Sequence, residues 1–172
     1  GLSSAYLPIG AVMISEQIAD VFHTVGGDFN HGYTYSGHPA TCAAAIANLK
    51  IMKREKLVER VATDIGPYLT ERWVKLGEHP LVGEARMKGL MGALELVPDK
   101  SDRSKRFEPE GEVGALARDH SFNNGLVMRA VRDRLIICPP LTLSHDEADE
   151  LITMAEKTLN DTWADLKKMN RV

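Results

Sequence analysis

The groups best suited to chemistry in this 172-residue chain lie in one short stretch, His31-Gly32-Tyr33-Thr34-Tyr35-Ser36-Gly37-His38-Pro39. Hydroxyls on Tyr33, Thr34, Tyr35 and Ser36 sit between two glycines, and the alanine-rich run Ala40-Thr41-Cys42-Ala43-Ala44-Ala45 follows at once. A proline near the first turn of a helix supplies the right φ and lacks only an N–H that has no partner there. The leading N–H groups of such a helix, the positive end of its dipole and the nearby hydroxyls together suit an anion. The same residues also suit an ordinary loop capped by its own side chains, and both readings stay open.

Arg129 is the second candidate, at the end of the apolar stretch Leu126-Val127-Met128. A charge at such a place reaches water or finds an anionic partner. A guanidinium grips a carboxylate through two parallel hydrogen bonds, so a carboxylate substrate fits, and a structural salt bridge fits as well. His23, His31 and His38 match no compact ligand motif and are joined by no carboxylate or cysteine, so no metal is expected. Cys42 reads as a small core residue of the alanine helix. Neither a G-x-S-x-G elbow nor a GxGxxG loop occurs.

The elements that carry these groups follow from hydrophobic periodicity. Ala11-Val12-Met13-Ile14 reads as a buried strand, and Ser15 caps a helix over Glu16 to Phe22 with Ile18, Ala19 and Phe22 on one face. Val25 to His38 is loop, and the alanine helix covers Ala40 to Arg54. A longer helix runs from Lys56 to Leu76 on the stripe Leu57, Val61, Ile65, Leu69, Trp73 and Leu76, kinked at Gly66-Pro67 and capped by Gly77. Leu81 to Met87 and Leu90 to Val97, the second largely buried, form an antiparallel hairpin around Lys88-Gly89. Pro98 to Pro109, with Lys100, Arg103, Lys105 and Arg106, reads as a solvated loop. A helix over Glu112 to Phe122 ends at Asn123-Asn124-Gly125. Leu126 to Arg129 and Leu135 to Cys138 are short strands around a charged turn. Ser144 and Glu147 make a capping box for a last helix to Met169, with Ala148, Ile152, Ala155, Leu159, Trp163 and Leu166 facing inward. The pattern is an α+β domain with a small antiparallel sheet, preceded by the tail of an α/β domain.

Composition sets the outer limits. Hydrophobic residues make up 44% and charged residues 26%, as in soluble globular proteins. A net charge of −3 offers no basic surface for nucleic acid. No apolar run approaches the ~20 residues of a membrane span. Cys42 and Cys138 suggest no disulfide framework, which points to a reducing cytoplasm. The first residues have neither a methionine start nor signal-peptide anatomy, so part of a longer polypeptide is expected.

Five blocks, taken in order, resemble the class III aminotransferases, pyridoxal-phosphate enzymes of fold type I. They are Gly1-Leu2-Ser3-Ser4-Ala5-Tyr6-Leu7-Pro8-Ile9-Gly10-Ala11-Val12, His31 to Pro39, Gly89 to Val97, Asn124 to Arg129 and Pro139-Pro140-Leu141. The block Phe29 to Pro39 is similar to that of the ω-amino acid or amine:pyruvate branch. The resemblance implies the end of the large cofactor domain and its dimer interface in residues 1–56, and a small C-terminal α+β domain in residues 57–172. It puts the Schiff-base lysine immediately before Gly1. The chain then starts there either as a C-terminal fragment or because a modified lysine interrupts it, and Lys50, Lys53 and Lys56 do not replace that lysine.

On the same resemblance Thr34 matches the threonine that holds the cofactor phosphate of the neighbouring subunit, and Tyr33 matches the aromatic position beside it. Arg129 matches the mobile arginine that pairs with a substrate carboxylate. The implied reaction moves an amino group between an amine or ω-amino acid and a 2-oxo acid such as pyruvate, in a homodimer or tetramer. The alternatives are another outcome on the same fold (mutase, decarboxylase or racemase) and a non-catalytic dimerisation fragment.

Overall fold

A four-stranded antiparallel sheet is the frame of residues 57–172. The computed structural model describes residues 1–26, 29–102 and 104–172. Within it the chain parts into two compact units, Gly1–Lys56 and Leu57–Val172. Arg103, and residues 27 and 28 of the expected Val25–His38 loop, lie outside the described residues.

In the second unit β1 (Val82–Lys88), β2 (Met91–Leu96), β3 (Arg129–Val131) and β4 (Arg134–Ile137) pair in the order β1-β2-β4-β3. Side chains alternate across the sheet. Leu94 and Leu96 of β2 and Leu135 and Ile137 of β4 are buried. Met91, Ala93, Glu95, Arg134 and Ile136, at the intervening positions, keep contact with solvent. Burial within β2 therefore falls at alternate residues, because this antiparallel sheet is covered on one face, and Val97 just beyond it is buried as well.

The helical run expected from Lys56 to Leu76 is assembled from α3 (Leu57–Arg60), a π-helical turn Val61–Ile65, α4 (Gly66–Lys75) and a 3-10 turn Leu76–Glu78. Its stripe holds: Ile65, Leu69, Trp73 and Leu76 are buried, with Val61 packed against them. The perturbation at Gly66-Pro67 takes the form of the π turn just ahead of it. Pro67 has no N–H and its ring crowds the carbonyl four residues back, and widening the preceding turn relieves both. Gly77 is not the expected left-handed cap but lies inside the 3-10 turn. The Lys100 ammonium bonds the carbonyls of Gly77 and His79 instead, which satisfies the acceptors at this helix end.

Two further corrections concern loops. The Pro98–Pro109 connection is not wholly solvated, since Phe107 is buried in the core. Leu126–Met128 is not a strand; β3 begins at Arg129. Leu126 instead donates its N–H to the Ser121 carbonyl at the end of α5 (Glu112–Asn123) and accepts from the Ser121 hydroxyl. Its backbone groups are thus taken before a ladder can use them. α6 (His145–Lys168) carries the expected capping box: Ser144 Oγ accepts from Glu147 N at 3.2 Å, and Glu147 Oε2 accepts from Ser144 N at 2.8 Å. Ala148, Leu151, Ala155, Leu159 and Leu166 close the core from this helix, with Ile152 and Trp163 at its margin.

The first unit holds α1 (Glu16–Val25) and α2 (Pro39–Arg54). Ser15 caps α1 by accepting from Ile18 N, as expected. The expected buried strand Ala11–Ile14 is absent: these residues pair with no strand, and Val12 and Met13 are 90% and 96% exposed. An apolar run becomes a strand only where an edge offers hydrogen-bond partners. Among the described residues none in this unit does.

Candidate functional site

The hydroxyl-rich stretch folds as a backbone-closed turn that feeds α2. Ser36 N donates to the Tyr33 carbonyl at 2.9 Å and His38 N to the Tyr35 carbonyl at 3.2 Å. Ser36 Oγ accepts from Tyr33 N at 2.9 Å, so this hydroxyl braces the turn. Gly37 sits at φ 71°, the left-handed conformation that lets the chain reverse into the helix without steric cost. His38 is the N-cap and Pro39 the first helical residue.

Nothing in the turn caps α2. No side chain bonds its leading N–H groups, and its first turn carries no acidic residue. The Thr41 hydroxyl donates to the His38 carbonyl at 2.8 Å, and that carbonyl also takes Cys42 N at 3.0 Å. Of the two readings the sequence left open, self-capping by side chains is therefore not the one adopted. The N–H groups of Ala40 and Thr41 remain available at the positive end of a 16-residue helix. Thr34, on the turn just before, is exposed and keeps its hydroxyl free of other described side chains. Tyr33 is 82% exposed beside it, its ring edge-on to His31 at 6.1 Å between centroids. Two uncapped amides, a free hydroxyl and no competing carboxylate are a donor set that fits a phosphate monoester.

Arg129 stands in the other unit, at the first residue of β3 and not at the end of a strand. It pairs with Ile136 of β4, which pairs with Ala93 of β2, which pairs with Arg86 of β1. All four lie in one cross-strand row on the face no helix covers. The Arg129 side chain is exposed and makes no ion pair among the described residues. The structural salt bridge, the competing reading, is not formed. Its neighbours in the turn are engaged instead, Arg132 with Glu110 at 3.3 Å and Arg134 with Glu95 at 3.0 Å. Tyr33 and Thr34 thus share one turn of the first unit, while Arg129 belongs to the sheet of the second.

Two polar side chains escaped the sequence reading. Asn48, inside the alanine helix, donates to the carbonyls of Gly1 and Leu2 at 3.1 and 3.0 Å and so ties down the opening segment. The only sequence signal is a polar residue interrupting the run Ala43 to Leu49. Asp133 is buried in the turn between β3 and β4, which the sequence marks only as a charged turn. Among the described residues no group of three metal-ligating side chains occurs, and Cys42 and Cys138 are free thiols.

Comparison with known proteins gives a consistent picture. The family model for class-III aminotransferases matches residues 1–159. A putrescine–pyruvate aminotransferase of Pseudomonas aeruginosa is 50% identical over 164 residues, which are 95% of this chain and 35% of that protein. The mitochondrial gamma aminobutyrate transaminase 1 of Solanum lycopersicum is 41% identical over 94% of this chain and 32% of its own length. Among solved structures, an (S)-enantioselective omega-transaminase from Thermomicrobium roseum superposes with a TM-score of 0.87 at 40% identity, over 94% of this chain and 36% of that one. An amine transaminase from an uncultivated Pseudomonas species, described as PLP-bound, superposes at 0.84 with 36% identity, over 94% and 37%. The chain spans about a third of the length of the relatives it matches. On the ordered motifs, the fold and these matches, the chain belongs to the class-III aminotransferase family.

Proposed function

We propose that the chain is the C-terminal part of a pyridoxal-phosphate-dependent aminotransferase that exchanges an amino group between an amine or ω-amino acid and a 2-oxo acid such as pyruvate. Residues 1–56 complete the large cofactor domain and its interface, and residues 57–172 are the small domain. The parting of the chain into Gly1–Lys56 and Leu57–Val172 supports that division. The observation that carries the reading is the uncapped start of α2 with the Thr34 hydroxyl on the turn before it, in a member of this family.

In this reading Thr34 donates its hydroxyl to the cofactor phosphate of the neighbouring subunit, the amides of Ala40 and Thr41 add to the same anion site, and Tyr33 walls it. What the cofactor supplies when bound is an electron sink for amino-group transfer. Arg129 receives the carboxylate of the oxo-acid substrate through its planar fork and moves aside for a donor that has none. The exposed apolar side chains of the first unit, among them Tyr6, Val12, Met13, Val25 and Phe29, are too many for a free surface, and in this reading the rest of the large domain and a partner subunit share in covering them. The choice of an amine donor with pyruvate rests on the likeness to the putrescine–pyruvate aminotransferase of Pseudomonas aeruginosa. Among the described residues no helix is long and apolar enough to cross a membrane, and with two free thiols a cytoplasmic setting fits.

The test uses the full-length polypeptide with an amine donor and pyruvate, following alanine and the carbonyl product. Alanine formation is expected, and its absence with decarboxylated or rearranged donor would overturn the reaction type. Arg129→Ala is expected to cost about 2–5 kcal/mol in kcat/KM for pyruvate and much less for an amine without a carboxylate. Equal losses in both half-reactions would make Arg129 structural.

A further inference from the structure

The segment that carries Arg129 is short and poorly braced by its own strand. β3 has three residues, sits at the sheet edge and pairs with β4 alone, through Arg129–Ile136, Ala130–Leu135 and Val131–Arg134. Register decides which face a side chain takes, and a slip of one residue would send Arg129 to the covered face and Ala130 to the open one. In a two-residue hairpin that register is set by the turn. Here the turn is Arg132-Asp133, with Arg132 at φ 52°, an unfavourable value for a side chain of that size.

What holds this turn is Asp133. Its carboxylate is buried and accepts from Gly111 N at 2.9 Å through Oδ2 and from Gly114 N at 2.8 Å through Oδ1. These are the N-cap and third residues of α5, which has no cap of its own sequence. The Asp133 carbonyl meanwhile accepts from Leu96 N of β2 at 2.9 Å. The fit is close: a Cβ built on Gly114 would stand 1.9 Å from the Arg132 carbonyl oxygen. The hairpin tip is thus locked to a helix on one side and to a central strand on the other. At the opposite end of β3, Met128 is anchored in the core.

We infer that Asp133 is a positioning residue for substrate recognition: by clamping the β3–β4 turn to the start of α5 it fixes the register that keeps Arg129 on the open face of the sheet. The inference rests on the reading of Arg129 as the carboxylate receiver. No described side chain other than Asp133 caps α5, so loss of its carboxylate frees the turn and the helix start together.

The experiment compares Asp133→Ala, Asp133→Asn, Arg129→Ala and the Asp133→Ala/Arg129→Ala double variant in the full-length holoenzyme. Asp133→Ala is expected to raise KM for pyruvate about tenfold with kcat little changed, and to leave the half-reaction of a carboxylate-free amine within about twofold. Asp133→Asn, which keeps one acceptor, should fall between, and it decides the matter alone if the alanine variant does not fold. In the Arg129→Ala background the Asp133 change should add nothing to KM for pyruvate. The same factor in both backgrounds, or equal losses in both half-reactions, would overturn the inference and leave Asp133 a general brace. A large Arg129→Ala effect with none from either Asp133 variant would overturn it while sparing the reading of Arg129. No effect from Arg129→Ala would overturn both.

Discussion

The two units handle apolar surface in opposite ways. Leu57–Val172 encloses a continuous core from Ile65 to Leu166, with Trp73, Leu94, Leu135 and Leu159 without solvent contact. In Gly1–Lys56 only Ser3 and Ala45 are buried among the described residues, and α1 buries none. The first unit spends its sequence on a presented turn and an uncapped helix start, the second on a frame stiff enough to carry one charged side chain. Within these residues the first unit is held mainly by backbone bonds and the second by packing, and the chain spans only about a third of the length of its relatives. The two arrangements predict different responses to mutation.

The largest expected effect is in the core. Trp73→Ala should cost about 3–5 kcal/mol in urea unfolding, because its ring is fully buried against β2 and the cavity cannot close. Phe22→Ala in α1, 44% exposed, should cost far less in the same measurement on residues 1–172, and comparable losses would erase the contrast between the units. Next comes Thr34→Ala, expected to weaken retention of the cofactor by about 1.5–3 kcal/mol, roughly ten- to a hundredfold, with the unfolding midpoint of the cofactor-free protein unchanged because Thr34 is exposed. Unchanged retention in a dialysis assay would remove the turn from the site.

Smaller effects sharpen the account of the second unit. Ser144→Ala removes the hydroxyl half of the capping box of α6, the acceptor for Glu147 N, while the backbone N–H of residue 144 keeps its bond to Glu147, and should cost about 1 kcal/mol in thermal unfolding. The mildest effect is a pH dependence. Burial lowers the pKa of His79 from its ordinary value of 6.5, against the opposing effect of its hydrogen bond with Asn160, and Nδ1 accepts from Leu81 N at 3.1 Å. The unfolded chain then binds the proton more readily, so the stabilisation is complete above pH 6.5 and declines as the pH falls toward the folded value. The unfolding midpoint should drop on going from neutral to mildly acidic pH, and His79→Gln should flatten that drop. A second decline is expected below the ordinary carboxylate range. There Glu147, bonded to Ser144, Asp149, bonded to Tyr68 and Arg72, and Asp161, bonded to Lys157, are held below their usual values and must be protonated. A flat profile from pH 7 to pH 3 would deny these groups any weight.

Much of the fold was legible residue by residue. The stripe Ile65, Leu69, Trp73, Leu76, the Ser144–Glu147 box, the Lys88-Gly89 reversal and the Pro39 start of the alanine helix are local signals, each completed within a few residues. Errors fell where a segment depended on something distant. Ala11–Ile14 is apolar enough for a strand but finds no edge to join among the described residues. Leu126–Met128 lost its backbone partners to the end of α5. Gly77 was displaced as a cap by Lys100, whose reach back to that turn no local pattern encodes.

For the candidate site, residue types and order within the chain determined that Tyr33, Thr34 and Arg129 were the groups to watch, and family motifs gave each an expected partner. Tertiary structure decided the rest. That α2 starts uncapped depends on Ser36 turning to Tyr33 N and Thr41 to the His38 carbonyl, a competition among hydroxyls that sequence leaves undecided. That Arg129 has no ion pair among the described residues depends on the register that sets it in the row of Ile136 and Ala93, while Glu95 stands in the row of Arg134 and pairs with it. That Asp133 is a buried clamp depends on α5 arriving with two free amides at hydrogen-bond distance. A side chain's type is local, but its partner is chosen among all groups the fold brings within about 3 Å, and only the packed chain settles that choice.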